Sequence, residues 1–315
     1  MKKQKLAIVI PCFNEKEVIE NTYNKIHRLM KQMEKDSIIN QDSFICFVDD
    51  GSKDNTWDII FNISSSDNKI HAIKLSRNFG HQNALLAGLT TVNNNCDIVI
   101  SIDADLQQDI DVIPEMIKKY NNGAEIVFGI RKKRTGDSLL KKLTGILFIN
   151  LFNILGGNVL KNHADFRLMG DKALKALLEY GENNIFLRGL VTELGFKTDS
   201  VEFEQKERAL GKTKYTLIKM IKLGYDGITS LTITPLRYLF ALGAFSFVSS
   251  IIYVCYVFYI KLFTDSAVPG WASIVLPIWV FSSLQLLSIG LIGEYLSRIF
   301  LDIKKRPRFI VEKKI

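Results

Sequence analysis

Two stretches near the C-terminus limit what this chain can fold into more than any other feature. Tyr238 to Ile260 and Val268 to Gly293 hold no charged residue, and each reaches the ~20 apolar residues that a helix needs to cross a bilayer. They predict a transmembrane hairpin, with helices at about 238–260 and 272–293, rather than two buried core helices. Neither run is N-terminal, and Met1 to Lys5 leads straight into a strand-like pattern, so neither reads as a signal peptide.

Basic residues set the orientation. Lys212, Lys214, Lys219, Lys222 and Arg237 precede the first run, and Arg298, Lys304, Lys305, Arg306, Arg308, Lys313 and Lys314 follow the second. The loop between the runs holds one Lys and one Asp. Both flanks, both termini and the large N-terminal part are therefore expected in the cytoplasm, making this a multi-pass protein of the plasma (inner) membrane. The net charge of +8 tracks the membrane boundary, where anionic headgroups attract it, so a nucleic-acid partner is not expected. Cys12, Cys46, Cys96 and Cys255 show no paired spacing and read as small core residues in a reducing compartment.

The first two-thirds of the chain alternates two patterns. Strand-like runs fall at Leu6–Ile10, Phe44–Val48, Ile70–Leu75, Asp97–Ile102 and Glu125–Gly129. Helical patterns lie between them, at Glu15–Lys35, Asn55–Ser64, Gly80–Thr91 and Ile110–Tyr120. The alternation predicts an α/β, Rossmann-like, mainly parallel sheet with helices on both faces. The expected division is a catalytic domain over 1–211, interfacial amphipathic helices over 212–235, the membrane hairpin over 236–297 and a basic tail over 298–315. The apolar zone Leu139 to Gly157 is too short to span and reads as a core or surface-lying helix.

Polar loops follow the strands, and in a parallel sheet they converge on one rim, where ligands bind. The richest is Asp103-Ala104-Asp105-Leu106-Gln107, directly after an apolar strand. Two carboxylates and an amide oxygen suit a small divalent cation that completes its shell with water and substrate phosphates. Asp49-Asp50-Gly51-Ser52 supplies carboxylates for a base or ribose. Arg77 and Asn78 could reach a base or a phosphate, or form a surface ion pair. Asp54 reads as a helix cap.

These loops, in this order, resemble those of family-2 inverting glycosyltransferases with the GT-A fold. Within that family the chain resembles polyprenyl-phosphate glycosyltransferases: bactoprenol glucosyltransferases of the GtrB kind and, more distantly, dolichol-phosphate mannose synthase. The likeness runs through Val9–Glu15, Val48–Asp54, Leu75–His81, Ile102–Gln107, Asp165–Met169, Arg208–Tyr215 and Ile289–Tyr295.

The resemblance implies roles at matching positions. Pro11, Glu15, Asp49, Asp50 and Arg77 would surround the nucleotide-sugar, with Asp103 near ribose and sugar. Asp105 and Gln107, with Asp103, would hold Mg²⁺ or Mn²⁺. Arg131, Arg208 and Lys214, joined by Arg167 and Lys212, would face the acceptor phosphate. Asp165 would lie near the reacting centre, as a base or as a positioning residue. The implied substrates are UDP-glucose first, with UDP-N-acetylglucosamine or GDP-mannose as alternatives, and undecaprenyl phosphate, for cell-envelope glycosylation. A homotetramer is implied by resemblance alone. The Q-x-x-R-W motif of processive synthases is missing from the sequence, and an inactive scaffold would have no need of the full polar set.

Overall fold

The computed structural model describes residues 3–132, 163–181, 187–204 and 270–315, with scattered residues between 236 and 263. Strands β1 (Leu6–Cys12), β2 (Phe44–Asp49), β3 (Ile70–Leu75) and β4 (Ile98–Ser101) alternate with helices α1 (Ile19–Lys35), α2 (Thr56–Ser66) and α3 (His81–Val92). A 3₁₀ turn (Ile110–Val112) and α4 (Ile113–Asn121) lead to β5 (Ile126–Arg131). Then come β6 (His163–Gly170), two short helices (Asp171–Glu179 and Leu187–Glu193), β7 (Thr198–Phe203), a long helix (Trp271–Ile303) and β8 (Val311–Lys314).

The strands form one mixed sheet of order β7-β5-β6-β4-β1-β2-β3-β8. Its centre, β4-β1-β2-β3, is parallel, as the alternation of patterns predicts. β1, β2 and β4 are buried along their whole length, which is why they read as continuous apolar runs rather than alternating ones. Successive side chains enter opposite layers. Ile8, Ile10 and Phe47 pack with Ile26 and Met30 of α1 and Met116 of α4, whereas Val9, Cys46 and Val48 pack with Leu85 and Leu89 of α3 and with Leu174 and Leu190. In α1, Ile19, Ile26, Met30 and Met33 recur at helical spacing on the buried face.

Three strands depart from the sequence pattern. β6 runs antiparallel between β4 and β5, and β7 joins the edge parallel to β5. The stretch expected as a free basic tail contains β8, antiparallel to β3. Backbone bonds between Ala72 and Ile315 (3.0 and 2.9 Å), and from the Ser76 N–H to the Ile310 carbonyl (3.0 Å), seal that edge.

The helix Trp271–Ile303 has 33 residues, ~50 Å at 1.5 Å per residue, and runs past the charge-based limit at Gly293. Among the described residues it is the one helix long and apolar enough to cross a membrane, best over Leu284–Leu301. Its Leu286, Ile289 and Leu296 are exposed. The residues described between 236 and 263 are all helical, and Tyr238, Phe245, Ile252 and Tyr259 are exposed. Cys12 and Cys46 are buried as expected, Cys96 is half-buried, and Cys255 is exposed instead of buried in a core. The stretches 139–157 and 212–235 lie outside the described residues.

Candidate active site

The C-terminal ends of β1, β2, β3 and β4 share one edge of the sheet, and that edge gathers the polar loops. Antiparallel β6 begins where β4 ends: Ser101 pairs with Arg167, and Ile130 of β5 with His163. Asp165 therefore reaches the rim beside Asp103.

The loops brace one another. Asn14, at φ 53, donates its N–H to Ser52 Oγ at 2.9 Å, and its side-chain oxygen accepts from the Lys53 N–H at 2.8 Å. The Glu15 N–H reaches Thr56 Oγ1 at 2.9 Å. Gly51 sits at φ +65, and a Cβ there would collide with the backbone of Arg77. Only glycine fits so close an approach in this conformation. Asp54 accepts the Thr56 N–H at 3.1 Å, but the cap position of α2 falls on Asn55 rather than on Asp54, and no side chain caps the helix there.

Asp49 and Asp50 are buried and turned toward backbone. Asp49 accepts the Ser52 N–H at 3.3 Å; Asp50 accepts those of Phe79 and Gly80 at 2.7 and 3.0 Å. Burial pushes both carboxyls above the usual range, more than these hydrogen bonds draw them down. Pro11 is buried at the end of β1 and Glu15 is half-buried. Arg77 is exposed, its guanidinium 4.2 Å above the Phe79 ring.

After β4, Gln108 clasps Asp103: the Asp103 N–H donates to Gln108 Oε1 at 2.9 Å, and Gln108 Nε2 donates to Asp103 Oδ2 at 2.5 Å. Leu106 adopts φ 48, a costly conformation for a bulky residue. It packs against the first core layer, between Asp105 and Gln107. Thr22 of α1 fixes the same loop by donating to the Ala104 carbonyl at 2.6 Å.

Asp165 is the hub. Arg188 Nε and Nη2 donate to its two oxygens at 3.1 and 2.8 Å. Arg167 Nη2 lies 3.5 Å from Oδ1, and Ser101 Oγ donates to the Asp165 carbonyl. His81, at the start of α3, bridges Asp165 and Asp103 at 3.4 and 3.6 Å. Burial would raise the Asp165 carboxyl, but Arg188, His81 and Arg167 outweigh it and hold it well below the usual range. Asp103 is raised by burial, with His81 lowering it and the Asp165 and Asp105 charges raising it further. Desolvation draws His81 down, yet its bond to Asp165 and the two carboxylate charges leave it raised.

Asp103, Asp165, Arg188 and His81 thus meet at one point of the rim. Arg131 ends β5 on the same edge, half-buried. Arg167, expected at the acceptor phosphate, is fully buried and donates to the Leu187 carbonyl at 3.3 Å, so it sits beneath Asp165 and does not reach the surface. Arg208, Lys212 and Lys214 lie outside the described residues. The sequence reading missed Arg188 and Gln108 and gave His81 no role. One clue to Arg188 was present: a lone charge between Leu187 and Leu190, both buried here, has to find a partner.

The Glycosyl transferase family 2 model matches residues 7–178. The glycosyltransferase YkoT of Bacillus subtilis is 45% identical over 307 residues, covering 98% of this chain and 91% of that protein. The SfII prophage-derived bactoprenol glucosyl transferase of Shigella flexneri is 35% identical over 312 residues, 98% of each. Among solved structures, glucosyl-3-phosphoglycerate synthase from Mycobacterium tuberculosis overlays with a TM-score of 0.46 at 20% identity, over 72% of this chain and 78% of that one. The chain belongs to glycosyl transferase family 2, and its mixed, mainly parallel sheet is the GT-A glycosyltransferase fold.

Proposed function

We propose that this glycosyltransferase moves one sugar, glucose from UDP-glucose, to undecaprenyl phosphate at the cytoplasmic membrane face, for cell-envelope glycosylation. The observation that carries the reading is end-to-end similarity to relatives named bactoprenol glucosyl transferase, which extends over 98% of the chain and so includes its apolar C-terminal part.

Topology supports the membrane hairpin. β8 is bonded to β3, so the chain between these two strands leaves and returns to one side of any bilayer it enters. It must then cross an even number of times. With Trp271–Ile303 as one crossing, the uncharged run 238–260 supplies the other. The basic flanks favour the cytoplasm for the catalytic domain and both termini. A homotetramer belongs to the same reading, on resemblance alone.

The chemistry is economical. A phosphate monoester has a second pKa of ~6 and is largely dianionic near neutrality, so the acceptor oxygen attacks the anomeric carbon without a strong base. The nucleoside diphosphate leaves, and the configuration inverts. The protein must bring two anions together and hold them in line, a task suited to Arg131 and to Arg208, Lys212 and Lys214.

Mg²⁺ or Mn²⁺ would be held by Asp103, Asp105 and Gln107, and would neutralise charge on the leaving diphosphate. The residues fit such an ion. Two carboxylates and an amide oxygen are hard oxygen donors of the kind that leave such an ion positions for phosphate oxygens; among the described residues no group of three or more His, Cys, Asp or Glu is placed to hold a metal ion. Burial raises Asp103 most, and the Asp165 and Asp105 charges raise it further; a cation would offset that added like charge.

The test is transfer from a panel of radiolabelled UDP- and GDP-sugars to undecaprenyl phosphate, with and without Mg²⁺ or Mn²⁺. The reading expects an organic-extractable product carrying one sugar, lost with EDTA and in Asp105→Ala. Tight nucleotide binding without a lipid product from any donor would overturn it in favour of another acceptor or an inactive scaffold.

A further inference from the structure

Asp165 has two arginine partners. Arg167, fully buried behind it, already offers one positive charge for one negative. Arg188 adds a second with better geometry, a two-bond fork at 3.1 and 2.8 Å. A fork fixes the plane and direction of a carboxylate, which a single point contact does not.

The backbone beside Arg188 is held from both sides. The Leu187 N–H donates to Gln82 Oε1 at 2.9 Å, and the Leu187 carbonyl accepts from Arg167 at 3.3 Å. Gln82 directly follows His81, which itself lies on Asp165. Three elements (α3, β6 and the helix Leu187–Glu193) are thereby referenced to one carboxylate. Arg188 is 33% exposed against 6% for Asp165, so the guanidinium forms part of the site wall while the carboxylate is set into it. His81 links Asp165 to Asp103, which places the fork one imidazole away from the proposed cation-binding loop.

We propose that Arg188 is a positioning residue for glycosyl transfer: its fork on Asp165 sets the direction in which that carboxylate faces the transferred sugar. The proposal rests on the reading of function above and goes beyond it by giving Asp165 an orienting role in place of a proton-accepting one. A lysine keeps the charge but not the planar fork, so charge and geometry are separable.

The full-length protein in lipid nanodiscs is assayed with UDP-glucose and undecaprenyl phosphate as wild type, Arg188→Lys, Arg188→Gln, Asp165→Asn and the double variant Asp165→Asn/Arg188→Gln. The double variant removes both partners of the fork together and so guards against misfolding of Arg188→Gln, which leaves the Asp165 carboxylate without its fork. The proposal expects Arg188→Lys and Asp165→Asn each to lower kcat at least about tenfold with donor KM within about twofold, and the double variant to be no more than about threefold below Asp165→Asn. Near-normal kcat in Arg188→Lys, multiplicative losses in the double variant, or a raised donor KM with kcat retained would each overturn it. Absence of lipid-linked product from the wild type counts against the reading of function alone. The same variants are then compared by UDP-glucose hydrolysis without acceptor, where the same pattern and the same reversals apply.

Discussion

Asp50 Oδ1 accepts the backbone N–H of Phe79 at 2.7 Å, tying the end of β2 to the loop that follows β3. Its other oxygen takes the Gly80 N–H at 3.0 Å, and the residue is 2% exposed. Asp50 therefore shapes the proposed donor pocket from behind, by fixing the backbone that lines it.

Removing that acceptor should cost both stability and donor affinity. Asp50→Ala leaves two N–H groups without their partner, and an orphaned buried donor costs roughly 1–3 kcal/mol. Asp50→Asn should be nearly as damaging, because its amide NH₂ would face one of the two N–H groups. Denaturant midpoints and UDP titrations measure both effects; an Asn variant equal to wild type in both would contradict the bracing role.

Asp103→Asn should separate stability from activity. A carboxyl raised by burial and like charge binds its proton better folded than unfolded. Its ionisation therefore costs stability as pH rises from the ordinary range, ~3.9, through its raised value. At pH 7 in EDTA the Asn variant should melt above wild type yet be inactive in transfer. The gain should shrink as pH falls toward 4. A lower melting temperature at pH 7 would count against the electrostatic account.

Asp165→Asn should behave in the opposite sense. Its carboxyl is held well below the usual range, so its stabilisation is fully present above ~3.9 and is lost as pH falls through the depressed value. The variant should melt below wild type at pH 7, and the two curves should converge under acid. Parallel melting curves from pH 7 to 2 would show that the carboxylate is not tightly held.

Gly51→Ala should be poorly tolerated. The backbone is at φ +65 and the space for a methyl group is filled by the Arg77 main chain, so the two loops would have to separate. Reduced stability and weaker UDP binding together are expected; a loss of binding alone, at normal stability, would point to direct nucleotide contact at Gly51.

Deleting residues 309–315 should cost far more than removal of a solvated tail. It uncovers the β3 edge, including the Ala72 and Ser76 N–H groups, and an uncovered edge invites pairing between molecules. Aggregation of the truncated protein in detergent, checked by light scattering, is the expected result.

The centre of the sheet was legible because β1, β2 and β4 are apolar runs and β3 is apolar apart from His71 and Lys74, each followed by a polar loop, so strand and rim announced themselves together. β6 was hidden by its own function: Asp165 and Arg167 look like surface residues, and only the fold shows that Arg167 has no exposed surface. β7 and β8 are short edge strands with weak signals: β7 alternates only over Val201-Glu202-Phe203, and β8 is exposed throughout. Arg188 could be flagged as a charge in an apolar setting, but its partner lies 23 positions away in sequence, and only the antiparallel course of β6 brings the two together.

β8 also has a meaning in time. The Lys74–Glu312 contact joins residues 238 positions apart, so β3 emerges from the ribosome long before the strand that covers it. At about 5–20 residues per second, its edge waits on the order of ten to fifty seconds. Every intervening residue, the apolar runs included, is synthesised in that interval. The sheet is thus completed only when β8 is made, after the long apolar helix Trp271–Ile303.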